Sequence, residues 1–155
     1  MSSDGMTIKL EGAEQLVGAL RRIDKNLQGK AGVAMVTAGA YQIMNHARLN
    51  IHRVFSRHQS GGLTNSISVE AEAKGKGAVA HVVPHKVYAR IQELGGTIVP
   101  KHSGGFLVWR DPDTGALCKA RSVTLPARPY LKPAAMDHQS EIVAAMAAEA
   151  QKYMR

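Results

Sequence analysis

From Met6 to Leu10 the chain alternates apolar and polar residues (Met-Thr-Ile-Lys-Leu), the period of a short strand. Gly12 interrupts it, and over Ala13 to Leu27 the period changes. Leu16, Leu20, Ile23 and Leu27 form one stripe while Arg21, Arg22 and Lys25 face away, which predicts an amphipathic helix ended by Gly29. A longer helix is expected from about Lys30 to Phe55, where Val36, Ala40, Ile43, Ala47, Ile51 and Val54 recur at three- and four-residue steps. Its first half is thin, with Gly32, Ala34, Ala38, Gly39 and Ala40 in succession. Each glycine costs about 1 kcal/mol of helix propensity against alanine. That cost suggests close packing of the thin face, against the sheet or against a neighbouring subunit.

Ser56 to Thr64 is polar, basic and Gly-rich, and is expected to be a loop. Strict alternation returns from Ser66 to Ala73, with Ile67, Val69, Ala71 and Ala73 on one side and Ser68, Glu70 and Glu72 on the other. Lys74-Gly75-Lys76-Gly77 is a turn and Ala78 to Val83 the returning strand of an antiparallel hairpin. Val87 to Leu94 reads as a short helix closed by Gly95-Gly96, with Thr97 to Val99 extended beyond it. Phe106 to Arg110 and Leu117 to Thr124 read as a second hairpin about the turn Asp111-Pro112-Asp113-Thr114-Gly115. Pro126 to Pro129 is rigid and extended. A last helix starts near Leu131, with Pro133 in its first turn, where a missing N–H costs little. Leu131, Ala135, Ile142, Met146 and Tyr153 are its apolar positions. The expected architecture is α+β, a single domain over residues 1–155. An antiparallel sheet of two hairpins packs with two N-terminal helices, a short middle helix and a C-terminal helix.

Composition adds a charge to this picture. Twenty Lys and Arg against twelve Asp and Glu leave a formal +8, suited to DNA, an acidic protein surface or an anionic membrane. No acid occurs between Lys25 and Val69, a stretch that contains Arg48, Arg53 and Arg57. These three arginines are candidate contacts for a partner or DNA, set against the plainer reading of a solvated face. No window is apolar enough to span a bilayer and no signal pattern opens the chain, so a soluble protein made in the cytoplasm is expected, with no membrane contact. Cys118 is single and reads as a small strand residue.

The chemistry-bearing residues form no convergent set in sequence. His46 and His52 are six positions apart on one predicted helix, about 240° around its axis, and cannot chelate one ion. His81 and His85 flank Pro84 without a Cys or acid to complete a site. Asp111 and Asp113 are explained by their turn, and Lys74-Gly75-Lys76-Gly77 lacks P-loop spacing. Neither enzymatic activity nor a cofactor or bound metal is expected.

Three segments carry a resemblance. Val87-Tyr88-Ala89-Arg90-Ile91-Gln92-Glu93-Leu94-Gly95-Gly96-Thr97 resembles the Tyr-Ala-x-x-x-Glu-[aromatic or Leu]-Gly signature of the tailed-phage neck and tail-completion family, also described as virion morphogenesis or minor tail protein Z type. Leu125-Pro126-Ala127-Arg128-Pro129-Tyr130-Leu131-Lys132-Pro133-Ala134 resembles that family's Pro-Ala-Arg-Pro-Phe-Leu-x-Pro-Ala run before its last helix. Leu63-Thr64-Asn65-Ser66-Ile67 resembles its Leu-x-x-Ser-Ile entry to the first hairpin. Order and spacing match from Leu63 to Ala134; Leu94 stands where an aromatic residue is common.

The resemblance implies a non-enzymatic subunit of the neck of a virion, made in the host bacterium and joining head-closure (connector) proteins to the tail. Its partners would be other copies in a ring, the head-closure protein, a tail terminator or tail tube protein, and DNA in the channel. A hexameric ring is expected by analogy with sixfold tail symmetry, closed through one repeated heterologous interface. The motif residues carried over are Tyr88, Glu93, Gly95, Pro126, Arg128, Pro129 and Tyr130. Tyr88, Ile91 and Leu94 are expected to pack on the sheet, and Glu93 either to pair with Arg128 or to stand exposed. Two other readings stay open: a tail-terminator ring protein, and a small basic DNA-binding protein lacking a recognisable reading helix.

Overall fold

Ile43, Ala47 and Ile51, spaced four residues apart, are each at most 1% exposed. They mark the buried stripe of α1, Lys25–Val54, the 30-residue helix at the centre of the fold. A computed structural model describes residues 8–9, 25–55, 57–75, 77–111 and 113–153. The first predicted helix, with Leu16, Leu20 and Ile23, lies outside the described residues except for its last positions. Those positions, from Lys25 to Leu27, belong to α1, which runs through Gly29 without a break and corrects the expected helix end. Tertiary packing outweighs the glycine there. Ala31 and Met35, one turn on, are buried with Ala150 and backed by Tyr153.

The chain divides into two compact units, Met1–Ala89 with Tyr130–Arg155, and Arg90–Pro129. In the first, β1 (Ile8–Lys9), β2 (Ile67–Lys74) and β3 (Gly77–Pro84) form an antiparallel sheet in the order β1-β3-β2. The predicted hairpin is present in register, from Ile67 opposite Pro84 to Lys74 opposite Gly77. Ile67, Ala80 and Val82 turn into the core, while Glu70 and Glu72 are exposed.

The stretch expected to be a loop is instead α2, Arg57–Thr64. Leu63 is 1% exposed, and this anchor offsets the poor propensity of Gly61 and Gly62. The end of α2 is closed by the Ser66 hydroxyl, which donates to the Leu63 carbonyl at 2.7 Å, and by the Asn65 N–H, which donates to Gly61 at 3.1 Å.

The last helix is two. The middle helix, α3, spans Ala89–Leu94 and starts two residues after the expected Val87. After it, α4 (Leu131–Met136) and α5 (Gln139–Lys152) replace the single predicted C-terminal helix. The Asp137 N–H donates to the Pro133 carbonyl at 2.9 Å, finishing α4. His138, with φ −119°, restarts the helix and accepts from the Ile142 N–H at 3.0 Å. Leu131, Ala134, Ile142 and Met146 join α1, Leu63 and the sheet in one core.

The thin face of α1 is filled within the chain. A Cβ at Gly32 would lie 3.4 Å from that of Ala78, and one at Gly39 would lie 2.9 Å from Met146 Cγ. Gly32 admits β3, the sheet alternative of the sequence reading, whereas Gly39 admits the helix α5, which that reading did not include.

The second unit contains β4 (Gly96–Ile98), β5 (Leu107–Arg110), β6 (Leu117–Ala120) and β7 (Val123–Leu125). β5 and β6 pair about the predicted turn, but the strand expected to continue to Thr124 breaks at Arg121 and Ser122. Its second half, β7, pairs with β4 instead. The α+β class holds; the two hairpins lie in separate sheets, not one.

Candidate functional site

Within the second unit, the two motif segments fold onto each other. Gly96, Thr97 and Ile98 pair with Leu125, Thr124 and Val123, and the Thr97 and Thr124 hydroxyls meet at 3.0 Å. The Arg128 N–H donates to the Gln92 carbonyl at 2.7 Å, tying the Pro126–Pro129 bridge to α3. Gly95 turns the chain between α3 and β4 with φ +70°, where L side chains are strained. A Cβ there would meet the Ala127 nitrogen at 2.7 Å and the Leu125 carbonyl at 3.0 Å. The Glu-Leu-Gly and Pro-Ala-Arg-Pro runs are therefore one structural device: glycine is required at position 95 because the bridge backbone passes against it.

Glu93 is 4% exposed, which removes the alternative of an exposed glutamate; neither it nor Arg128 is without a partner. Tyr130 is fully buried in the first unit, its ring edge-on to Phe55 at 6.5 Å, and its carbonyl accepts from Asn50 Nδ2 at 3.1 Å. The expected packing of Leu94 on the sheet is not observed: Leu94 is 58% exposed. Tyr88 is also largely at the surface, its hydroxyl close to Gly62, where a Cβ would lie 3.1 Å away.

The three candidate contact arginines differ. Arg48 is half-buried and its Nη2 donates to the Ile67 carbonyl at 3.2 Å, so it is committed to joining α1 to β2 and is withdrawn as a surface contact. Arg53 is exposed. The Arg57 side chain lies outside what the structure describes.

The surface of the second unit is unusually apolar. Leu94, Ile98, Val99, Phe106, Val108, Trp109 and Leu117 are all more than one-third exposed. Lys119 Nζ sits 3.9 Å above the Phe106 ring, a cation–π contact that leaves the ring at the surface. Exposed large apolar side chains in such number often mark an interaction surface.

A second constellation was hidden by sequence distance. His46 Nε2, on α1, donates to Glu141 Oε2 at 3.0 Å, across 95 positions. His138 Nδ1 donates to Glu141 Oε1 at 3.1 Å. A carboxylate only accepts, so both ring nitrogens carry protons in this arrangement. The two imidazoles stack at 3.5 Å with 9° between their planes. Hydrogen bonds from His138 and then from His46 hold the Glu141 carboxyl below the ordinary glutamate range. The signal available in sequence was the His138-x-x-Glu141 spacing, which puts both side chains on one face at the start of a helix. His85, by contrast, is spent on β2, with Ser68 Oγ at 2.7 Å and Glu70 Oε1 at 3.9 Å.

No helix among the described residues is long and apolar enough to cross a membrane. Comparison with protein-family models, with curated proteins and with solved structures finds no match to the chain.

Proposed function

We propose that the chain is a structural subunit of the head-to-tail neck of a tailed phage, joining head-closure proteins to the tail tube as one copy of a ring. The observation that carries this reading is the union of the two motif segments at Gly95. Residues 87–97 and 125–134 resemble the neck and tail-completion family in sequence, and β4 pairs with β7 where they meet. A chance likeness of two separate segments gives no reason for them to share a backbone contact that demands the motif's own glycine.

The exposed apolar side chains of residues 90–129 fit a subunit whose surface is covered on assembly. A ring would cover it with the next copy through a heterologous interface. The proposed role needs no catalytic group.

The test is genetic and morphological. A phage lacking this chain should yield filled heads and complete tails that remain unjoined, and supplying the chain in trans should restore joined virions. Normal joined particles without it would overturn the reading. Tails of uncontrolled length in its absence would favour the tail-terminator alternative. Retarded duplex DNA in a gel shift, with normal virions in the deletion, would favour the DNA-binding one.

A further inference from the structure

We infer that His46, His138 and Glu141 form a binding site for one divalent transition-metal cation, of the zinc, nickel or copper class, that staples the start of α5 to α1. The inference stands independently of the neck reading. It rests on three ligand atoms, one from each residue, that all lie within 4.8 Å of one another.

The donor set is specific in kind. Two imidazole nitrogens and one carboxylate oxygen suit borderline cations such as zinc, whereas magnesium and calcium take oxygen ligands. Ligands about 2.0–2.1 Å from one zinc in a tetrahedron lie about 3.3–3.4 Å from each other. The two imidazole nitrogens reach different oxygens of the Glu141 carboxylate, at 3.0 and 3.1 Å, and the three ligand atoms lie within 4.8 Å of one another, so the set must draw in by up to about 1.5 Å around one ion. Closure also requires the His138 ring to turn out of its stack on His46, because one ion must lie in the plane of both imidazoles; the side chains that move have room, Glu141 being 57% exposed and His138 31%. His46 is the fixed point, at 15% exposure on the long helix.

Binding exchanges two hydrogen bonds for coordination. His46 Nε2 and His138 Nδ1 present lone pairs, and each neutral ring keeps its proton on its other nitrogen. Three protein ligands leave a fourth position for water or another donor.

The position explains what the cation would do. His138 is the residue at which the C-terminal segment restarts as α5, and Glu141 is in the first turn of that helix. Facing them, His46 lies two helical turns beyond Gly39, where α5 packs through Met146 and Ile142. A cation there fixes the entry to α5 against α1 and adds stability by mass action.

The test is calorimetric titration of the full chain with zinc chloride alone, after chelator treatment and dialysis, at neutral pH. The expected result is saturable binding of one ion per chain, with a thermal transition that rises with zinc. His138→Ala and Glu141→Gln, both at exposed or half-exposed positions that leave the core untouched, should each weaken binding by about tenfold or more. Both should also lose the zinc-dependent rise. His85→Ala should leave both readouts unchanged, and excess magnesium should not displace the zinc. The inference is overturned by the absence of saturable binding. It is equally overturned by binding that survives both substitutions, which would assign the ion to other histidines, or by magnesium competing on equal terms.

Discussion

Every buried hydrophobic residue among those described, from Ala31 to Ala150, belongs to the unit built around α1. In residues 90–129 the buried side chain is that of Glu93, and seven large apolar ones stand at the surface. One unit is therefore held by side-chain packing. The other is held by backbone pairing and polar side chains: two short strand pairs, a left-handed glycine, the Arg128 N–H on the Gln92 carbonyl, the Thr97–Thr124 hydroxyl pair and the Asp111 turn. The difference teaches where the two kinds of information sit. Hydrophobic periodicity describes a region that folds on itself. In a region whose large apolar side chains stay at the surface, turn chemistry and glycine positions describe the shape.

Core packing is what holds the first unit. Leu131→Ala removes a side chain of α4 with no exposed surface, in the core shared with α1, and should cost about 2–5 kcal/mol in urea unfolding. A loss well under 1 kcal/mol would mean that packing does not hold this unit. Gly95→Ala should be next, and local. The left-handed conformation alone costs about 1–2 kcal/mol with a Cβ, and the contacts with the Ala127 and Leu125 backbone add to it. Amide exchange should accelerate at residues 96–98 and 123–125 while α1 keeps its protection; uniform acceleration along the chain would contradict a separate backbone-held unit.

Smaller effects sharpen the contrast. Arg48→Ala leaves the Ile67 carbonyl without its guanidinium partner and should cost about 1–3 kcal/mol. Arg53→Ala, at an exposed position, should stay within about 0.5 kcal/mol. Equal losses from the two would erase the distinction between a tethering arginine and a surface one.

The smallest effect belongs to Asp111. Its carboxylate accepts from the Thr114 N–H at 2.8 Å, the Thr114 hydroxyl at 2.9 Å and the Asp113 N–H at 3.0 Å, which hold its pKa below the usual 3.8. A depressed carboxyl contributes stability that is complete above its unfolded pKa and lost as pH falls through the folded one. Acidification below about pH 4 should therefore loosen the β5–β6 turn in the parent chain. Asp111→Ala should remove that dependence, as read from the chemical shifts of Thr114 and Gly115.

What was legible in the sequence follows the same division. The Ile67–Pro84 hairpin and the buried stripe of α1 were clear because each buries one face. The Asp111–Gly115 turn is legible from its residue types, and the Asp111 side-chain bonds close it. Gly29 misled because a helix can run through glycine when residues one turn away are buried. Residues 57–64 misled because one anchoring leucine, not a periodic face, makes them helical. The break at His138 carries no glycine, and the Pro133 that precedes it by a turn also reads as a helix start. His46 and Glu141 met through the packing of α5 on α1, which no local pattern encodes.

As proposed, assembly in a phage neck completes the apolar-surfaced unit of residues 90–129. A cryo-EM reconstruction of the virion tests it most directly. Copies of this chain are expected in a closed ring about the tail axis, between the head-closure ring and the tail tube. Leu117, Val108 and Trp109 should be covered by a neighbouring subunit. A map with no copy of the chain in the neck, or with these side chains open to solvent in every copy, would contradict it.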